Sequence, residues 1–162
     1  MSVFRITKKT YAKDLEGRGG LFASGRWHRK GNRVIYASES ISLAAWERFV
    51  HITDYRNIPS DLVVVTISIP DDIEIKEVPG HILVSGWNVS DPYNFYKKET
   101  MEFGTRFLKE NRHLVLKVPS AVVENECNYL LNPSHPDIKR CTIEKIEPFA
   151  FNGRIGGSSP GS

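Results

Sequence analysis

Much is missing from this chain, and each absence removes a class of function. Its 162 residues include only two cysteines, Cys127 and Cys141. That is too few for a disulfide framework, and reduced thiols are the simpler reading. No apolar run approaches the ~20 residues of a membrane-crossing helix. The opening residues, MSVFRITKKTYAKD, contain no apolar signal core, so a cytoplasmic protein without membrane association is expected. The charge excess is only +3, with a pI of about 8.9, too weak by itself to argue for nucleic acid. Histidines 28, 51, 81, 113 and 135 show no H-x-x-x-H pattern and no C-x-x-C accompanies them, so no metal site is expected. Gly17 to Gly20 lacks a preceding strand, so any dinucleotide would bind without a Rossmann loop. There is no internal repeat. Length and a 40% hydrophobic content suit one domain with a real core.

What is present concentrates between Gly25 and His51: GRWHRKGNRVIYASESISLAAWERFVH. Lys30-Gly31-Asn32 predicts a tight turn, because Gly and Asn tolerate positive φ. Arg33 to Ser38 is β-branched and aromatic and predicts a strand. Ser38 or Ser40 can cap a helix from about Ile41 to about His51, a stretch free of Gly and Pro. On a wheel of 100° per residue, Ile41, Leu43, Ala45, Trp46, Phe49 and Val50 form a broad apolar arc. Glu47, Arg48 and His51 fill the polar arc, with Glu47 at its edge beside Leu43. Charged helix residues are mostly exposed, so the wheel alone favours a solvated glutamate; it allows one on the rim of a cleft without demanding it.

Elsewhere, Val3 to Ile6 predicts a first strand. Gly17-Arg18-Gly19-Gly20 reads as a flexible approach to the central stretch, and Asp54 to Ser60 as loop. Leu62 to Ile69 is the strongest strand signal and is expected to be the central core strand. Asp71 to Asn94 mixes turns with strand-like pieces such as Ile73-Glu74-Ile75. Lys97 to about Asn111 predicts a second helix that Gly104 weakens. His113 to Val118 predicts a strand ended by Pro119, with Ser120 just beyond. Asn125 to Arg140 reads as an ordered loop region, and Ile143 to Phe151 as a last strand interrupted by Pro148. Residues 156–162 read as a flexible Gly/Ser-rich tail that could come from cloning. Short strands without a regular βαβ repeat indicate an α+β domain with curved antiparallel sheets over residues 1–155.

Several separated motifs resemble one family. Gly25-Arg26-Trp27, then Gly31, then Val34-Ile35-Tyr36-Ala37-Ser38-Glu39-Ser40, then a helix with Glu47, are similar to the RES-domain toxins of bacterial toxin–antitoxin modules. Val118-Pro119-Ser120-Ala121-Val122-Val123 and Asn128 to Asp137 (NYLLNPSHPD) resemble the family's second signature, and FAFNGRI, Phe149 to Ile155, its closing strand. His28, where the family often has asparagine, and Asn152-Gly153, where Asp-Pro is common, depart from the pattern. The resemblance implies an ADP-ribosyltransferase-like fold, two small mostly antiparallel sheets with flanking helices framing a cleft for NAD. NAD is then a substrate, and no cofactor is expected. It also implies an Xre-type antitoxin whose C-terminal part plugs the cleft; a homodimer is left open.

Chemistry suggests roles for the matching residues. Breaking the nicotinamide–ribose bond builds an oxocarbenium-like cation, which a nearby carboxylate stabilises. Glu47 is the candidate. Arg26 offers a planar fork of donors for phosphate or ribose oxygens. Tyr36 can stack on nicotinamide. Ser120 and Ser38 offer hydroxyls, and Arg5 a phosphate contact. Catalytic roles are expected for Glu47, Arg26 and Tyr36, and NAD-binding roles for Arg26, Tyr36, Ser120, Ser38 and Arg5. Taken singly, Arg26 is better read as a surface-turn residue, Tyr36 as a core aromatic and Ser120 as a turn former; only together, inside the full signature, do they favour function. The expected activity is growth-arresting NAD cleavage by water or phosphate. Alternatives are mono-ADP-ribosylation of a protein and, in another class, a nucleic-acid module built from Arg26, Arg29, Lys30 and Arg33 with Trp27 stacking.

Overall fold

The computed structural model describes residues 1–54, 58–89 and 98–155. The tail 156–162, Lys97, residues 90–94 with Pro92, and the middle of the 54–60 loop lie outside them.

Among the described residues, seven strands and two α-helices follow one another as β1 (Ser2–Lys8), β2 (Ile35–Ser38), α1 (Ile41–Phe49), β3 (Leu62–Ser68), β4 (Ile75–Glu77), α2 (Lys98–Glu110), β5 (Val115–Pro119), β6 (Cys127–Leu131) and β7 (Thr142–Pro148). The strands form one sheet in the order β4-β5-β6-β2-β1-β3-β7. Only β4–β5 is parallel. Instead of two sheets there is one, but it is nearly divided. β1 pairs with β3 at seven positions, Ser2↔Ser68 through Lys8↔Leu62, yet meets β2 only at Phe4↔Ser38. A single pair thus joins a half made of β4, β5, β6 and β2 to a half made of β1, β3 and β7.

Alternation assigns the faces. One apolar cluster, including Val3, Ile35, Val65, Ile67, Val115 and Leu131, runs across both halves on one face. The other face carries two separate clusters. Trp27, Phe107, Leu108, Leu116, Val118 and Leu130 pack beneath α2, whereas Ile6, Ala44, Leu62 and Val64 pack beneath α1. Ser38 and Asn128 pair directly across β2 and β6, two residues from the Tyr36↔Leu130 pair. They therefore lie on this second face, between its two clusters.

Four expectations are corrected. β3 is not the central strand; it lies second from the β7 edge. Its apolar run reports burial on both faces, not its place in the sheet. Cys127 to Leu131, expected as loop, is β6, a strand paired on both sides. The Asn-Pro turn that suggested a loop begins only at Asn132. Gly17 to Gly20 is not a flexible approach. Gly17 holds φ +62° in an ordered turn, and a Cβ there would lie 2.7 Å from Pro133 and Val34. Gly104 is a requirement of α2, not a weakness, because a Cβ at this position would run into the Trp27 carbonyl.

The edges are protected. β4 is three residues long, and β7 (TIEKIEP) carries alternating charges and ends in proline.

Candidate active site

α1 starts two residues after β2, capped by Ser40. The Ser40 hydroxyl accepts from the Leu43 amide at 3.0 Å and donates to the Glu126 carboxylate at 3.3 Å. Leu43 and Ala44 are buried against the sheet. Glu47 and Arg48 stand one turn further along the same two columns, so the helix turns both toward the cleft.

Glu47 Oε1 accepts from the Ser120 hydroxyl at 2.8 Å and from the Asn128 amide. Asn128 is itself oriented by Ser38, whose hydroxyl donates to Asn128 Oδ1 at 2.6 Å. Ser120 Oγ also accepts from the Val122 and Val123 amides, each at 3.0 Å. Its hydrogen is thereby aimed at the carboxylate. Both donors fall on Oε1, and among the described residues Oε2 has no hydrogen-bond partner. The fixed carboxylate keeps one oxygen uncommitted among the described residues.

Arg26 and Trp27 are the tip of a tight reversal closed by the Gly25↔His28 bridge. α2 clamps that reversal. Thr105 Oγ1 accepts from the Arg29 amide at 2.9 Å, and Gly104 lets the helix reach the Trp27 backbone. Trp27 sinks into the core, and Arg26 donates to the Trp87 carbonyl with its guanidinium 6.0 Å from the Trp87 ring. Tyr36 lies half-buried on β2, its hydroxyl 2.8 Å from His28 Nδ1.

A cleft of about 1460 Å³ follows the seam between β1 and β2, and Arg5, Arg26, Tyr36, Ser38, Glu47 and Asn128 all line it. Ser120 is buried behind it and reaches it through Glu47. Glu47 makes no direct contact with Arg26 or Tyr36 among the bonds described; the three share the cleft walls. Arg5 stands at another part of the cleft, donating to the Tyr11 carbonyl at 3.0 Å near Asp14. Burial lowers its pKa from the ordinary arginine value, and Asp14 opposes that shift. Arg5 Nε and Arg48 Nε are buried without a partner, and both residues line the cleft.

Three residues of this region were not singled out by sequence. Asn128 lay inside a quoted motif, but its segment read as loop. Arg48 was placed on the polar arc of the helix without a role. His28 was noted only as a departure. The apolar run Tyr129–Leu131 was the available signal for Asn128. The basic turn does not offer Trp27 as a stacking surface. Trp27 is 3% exposed, Arg29 pairs with Glu102 at 3.1 Å, and Arg33 pairs with Glu16 at 3.3 Å.

With this geometry in view, the relatives are informative. The RES domain matches residues 2–152. A "Toxin Res" of Pseudomonas putida is 36% identical over 156 residues, spanning 96% of this chain and 99% of that protein. The "Prs ADP-ribosylating toxin" of a Sphingobium species is 32% identical over 151 residues, spanning 91% and 90%. Among solved structures, the M. tuberculosis MbcT-MbcA toxin-antitoxin complex has a similar fold, with TM-score 0.63 and 16% identity, covering 92% of this chain and 84% of that one. The chain belongs to the RES-domain family. Its relatives in that family include proteins named as toxins.

Proposed function

We propose that this protein is the toxin of a toxin–antitoxin module and arrests growth by cleaving the nicotinamide–ribose bond of NAD. One observation carries the reading. A carboxylate fixed by two side-chain donors, with its second oxygen unclaimed, stands in a cleft that arginines also line. In this reading Glu47 Oε2 faces the ribose and stabilises the cation that forms as nicotinamide leaves. Tyr36 holds the nicotinamide ring, and Arg26 holds ribose or phosphate oxygens. Arg5 and Arg48, which also line the cleft, supply guanidinium groups to the pyrophosphate. Ser38 and Ser120 act at one remove, through Asn128 and Glu47. NAD is consumed, so no separate cofactor is needed. The two half-sheets framing the cleft fit an ADP-ribosyltransferase-like fold over residues 1–155.

The partner in this reading is an Xre-type antitoxin that plugs the cleft. Tyr11, Phe22 and Val50 line that cleft yet are largely exposed, Phe22 to 75%, and an antitoxin segment would cover them. No helix among the described residues is long and apolar enough to cross a membrane.

Purified protein incubated with NAD, with and without phosphate, should release nicotinamide. The second product, ADP-ribose or its phosphorylated form, identifies water or phosphate as acceptor. An absence of nicotinamide in both mixtures overturns the reading. A second reading, mono-ADP-ribosylation of a protein, is favoured by the Sphingobium relative. It predicts added mass on a protein target instead of free ADP-ribose.

A further inference from the structure

His28 is buried in a slot that the described contacts define on three sides. Its Nε2 is 3.0 Å from the Ala23 carbonyl and its Nδ1 is 2.8 Å from the Tyr36 hydroxyl. A carbonyl oxygen only accepts, so Nε2 carries the hydrogen. A neutral imidazole has just one N–H, and Nδ1 must then accept. Burial supports the neutral ring by lowering the His28 pKa from its ordinary value, against a smaller opposing effect of the Ala23 carbonyl. The Tyr36 hydroxyl is therefore the donor. Two glycines make room for the pair. A Cβ on Gly25 would stand 2.9 Å from His28 Nδ1 and from the Tyr36 hydroxyl oxygen, and one on Gly20 would stand 3.1 Å from His28 Nε2. The next residue along is anchored to α2 through Thr105. Imidazole and phenol lie 5.5 Å apart at a 54° tilt.

We propose that His28 is a positioning residue for Tyr36: its Nε2–H is held by Ala23, and its Nδ1 takes the hydroxyl hydrogen and so sets the angle of the phenol ring in the cleft. The consequence for NAD rests on the function proposed above. Tyr36 meets the nicotinamide with its ring, not as a hydrogen-bond donor, and a misdirected ring weakens substrate binding more than it slows bond breaking.

Two substitutions separate positioning from mere structure. The amide of asparagine stands where Nδ1 stands, and that of glutamine where Nε2 stands. His28→Gln keeps the Ala23 contact and loses Tyr36, so the KM for NAD should rise about fivefold to tenfold while kcat stays within about twofold. His28→Asn keeps the Tyr36 contact, and KM should return to within about twofold of wild type. Tyr36→Phe combined with His28→Gln should be no worse than the poorer single variant, as expected for two residues acting through one bond. Equal losses in the glutamine and asparagine variants, or additive losses in the double variant, overturn the proposal. A second measurement is independent of NAD. Long-range proton–nitrogen spectra of histidine-labelled wild type should give the Nε2-protonated form for His28, and Tyr36→Phe should shift the Nδ1 signal. An Nδ1-protonated ring overturns the proposal even in an active enzyme. A wild type that leaves NAD intact while showing the Nε2-protonated ring sinks the proposed function and spares the His28–Tyr36 geometry. Should His28→Gln fail to fold, the Tyr36→Phe spectrum still decides.

Discussion

The two halves of the sheet differ in kind. In the β1, β3 and β7 half the strands are seven residues long, and β3 is apolar along most of its length. In the β4, β5, β6 and β2 half they run three to five residues, and polar side chains interrupt them. Ser38 and Asn128 sit in that second half, and Ser120 follows directly from its β5. The first half supplies the backing on which α1 rests; the second supplies the donors that hold the α1 glutamate. Both halves carry buried core, but in the proposed function only the second supplies the donors to Glu47, and substitutions on the two sides should fail in different ways.

The largest expected effect is on the chemical side. Glu47→Gln keeps the shape but loses the charge, and nicotinamide release should fall by about 100-fold or more, while the thermal midpoint changes little. Product separation and a thermal melt check both halves of that statement; an active variant ends the role given to Glu47. Next comes the backing half. Val65, fully buried on β3, should cost about 2 kcal/mol of stability as alanine, read by urea unfolding, with turnover of the folded fraction unchanged. A proportionate loss of turnover would show that the halves are not separable. Asn128→Ala should lower turnover by about tenfold, because Glu47 then keeps one donor and Ser38 loses its acceptor. If stability falls and turnover does not, Asn128 belongs to the backing.

The smallest effect concerns the link between halves. Arg140, before β7, meets Asp72, before β4, through both carboxylate oxygens at 2.7 Å, so the pair ties the two crossovers together. A hydrogen bond from Arg140 holds the Asp72 carboxyl below its ordinary value. A depressed folded pKa means that the stabilisation is present above the unfolded value, about 3.9, and is lost as pH falls through the folded one. Both groups are exposed, so the contribution is slight. Asp72→Asn should flatten the acid limb of a stability–pH curve by slightly lowering the neutral region and leaving the most acidic end as it was.

This division also explains what the residues disclosed in advance. The first strand, β3 and both helices were legible because burial on a regular element leaves a pattern: alternation, an apolar run, or a capped amphipathic stretch. The Ser40 cap and the placement of Glu47 beside Leu43 followed from the same logic. β6 was misread because a strand that carries Asn128 at its start and Asn132-Pro133 just past its end spends its polar residues on the site and the turn. Local rules give way where function claims the positions. His28 was opaque for another reason. Its partners, Ala23 and Tyr36, approach only after the Gly25 reversal closes, and no spacing along the chain encodes that meeting. Gly104 looked like a flaw because the helix it serves must touch a segment some seventy-five residues earlier.

The lone Phe4↔Ser38 contact has a further meaning for whatever enters the cleft. Away from it, each of β1 and β2 turns alternate amides and carbonyls toward an opening instead of toward a neighbour. In the proposed function, a flat, polar guest would meet main chain there as well as arginine. Exchanging side chains leaves these main-chain groups in place. Variants crippled in turnover should therefore still hold their guest.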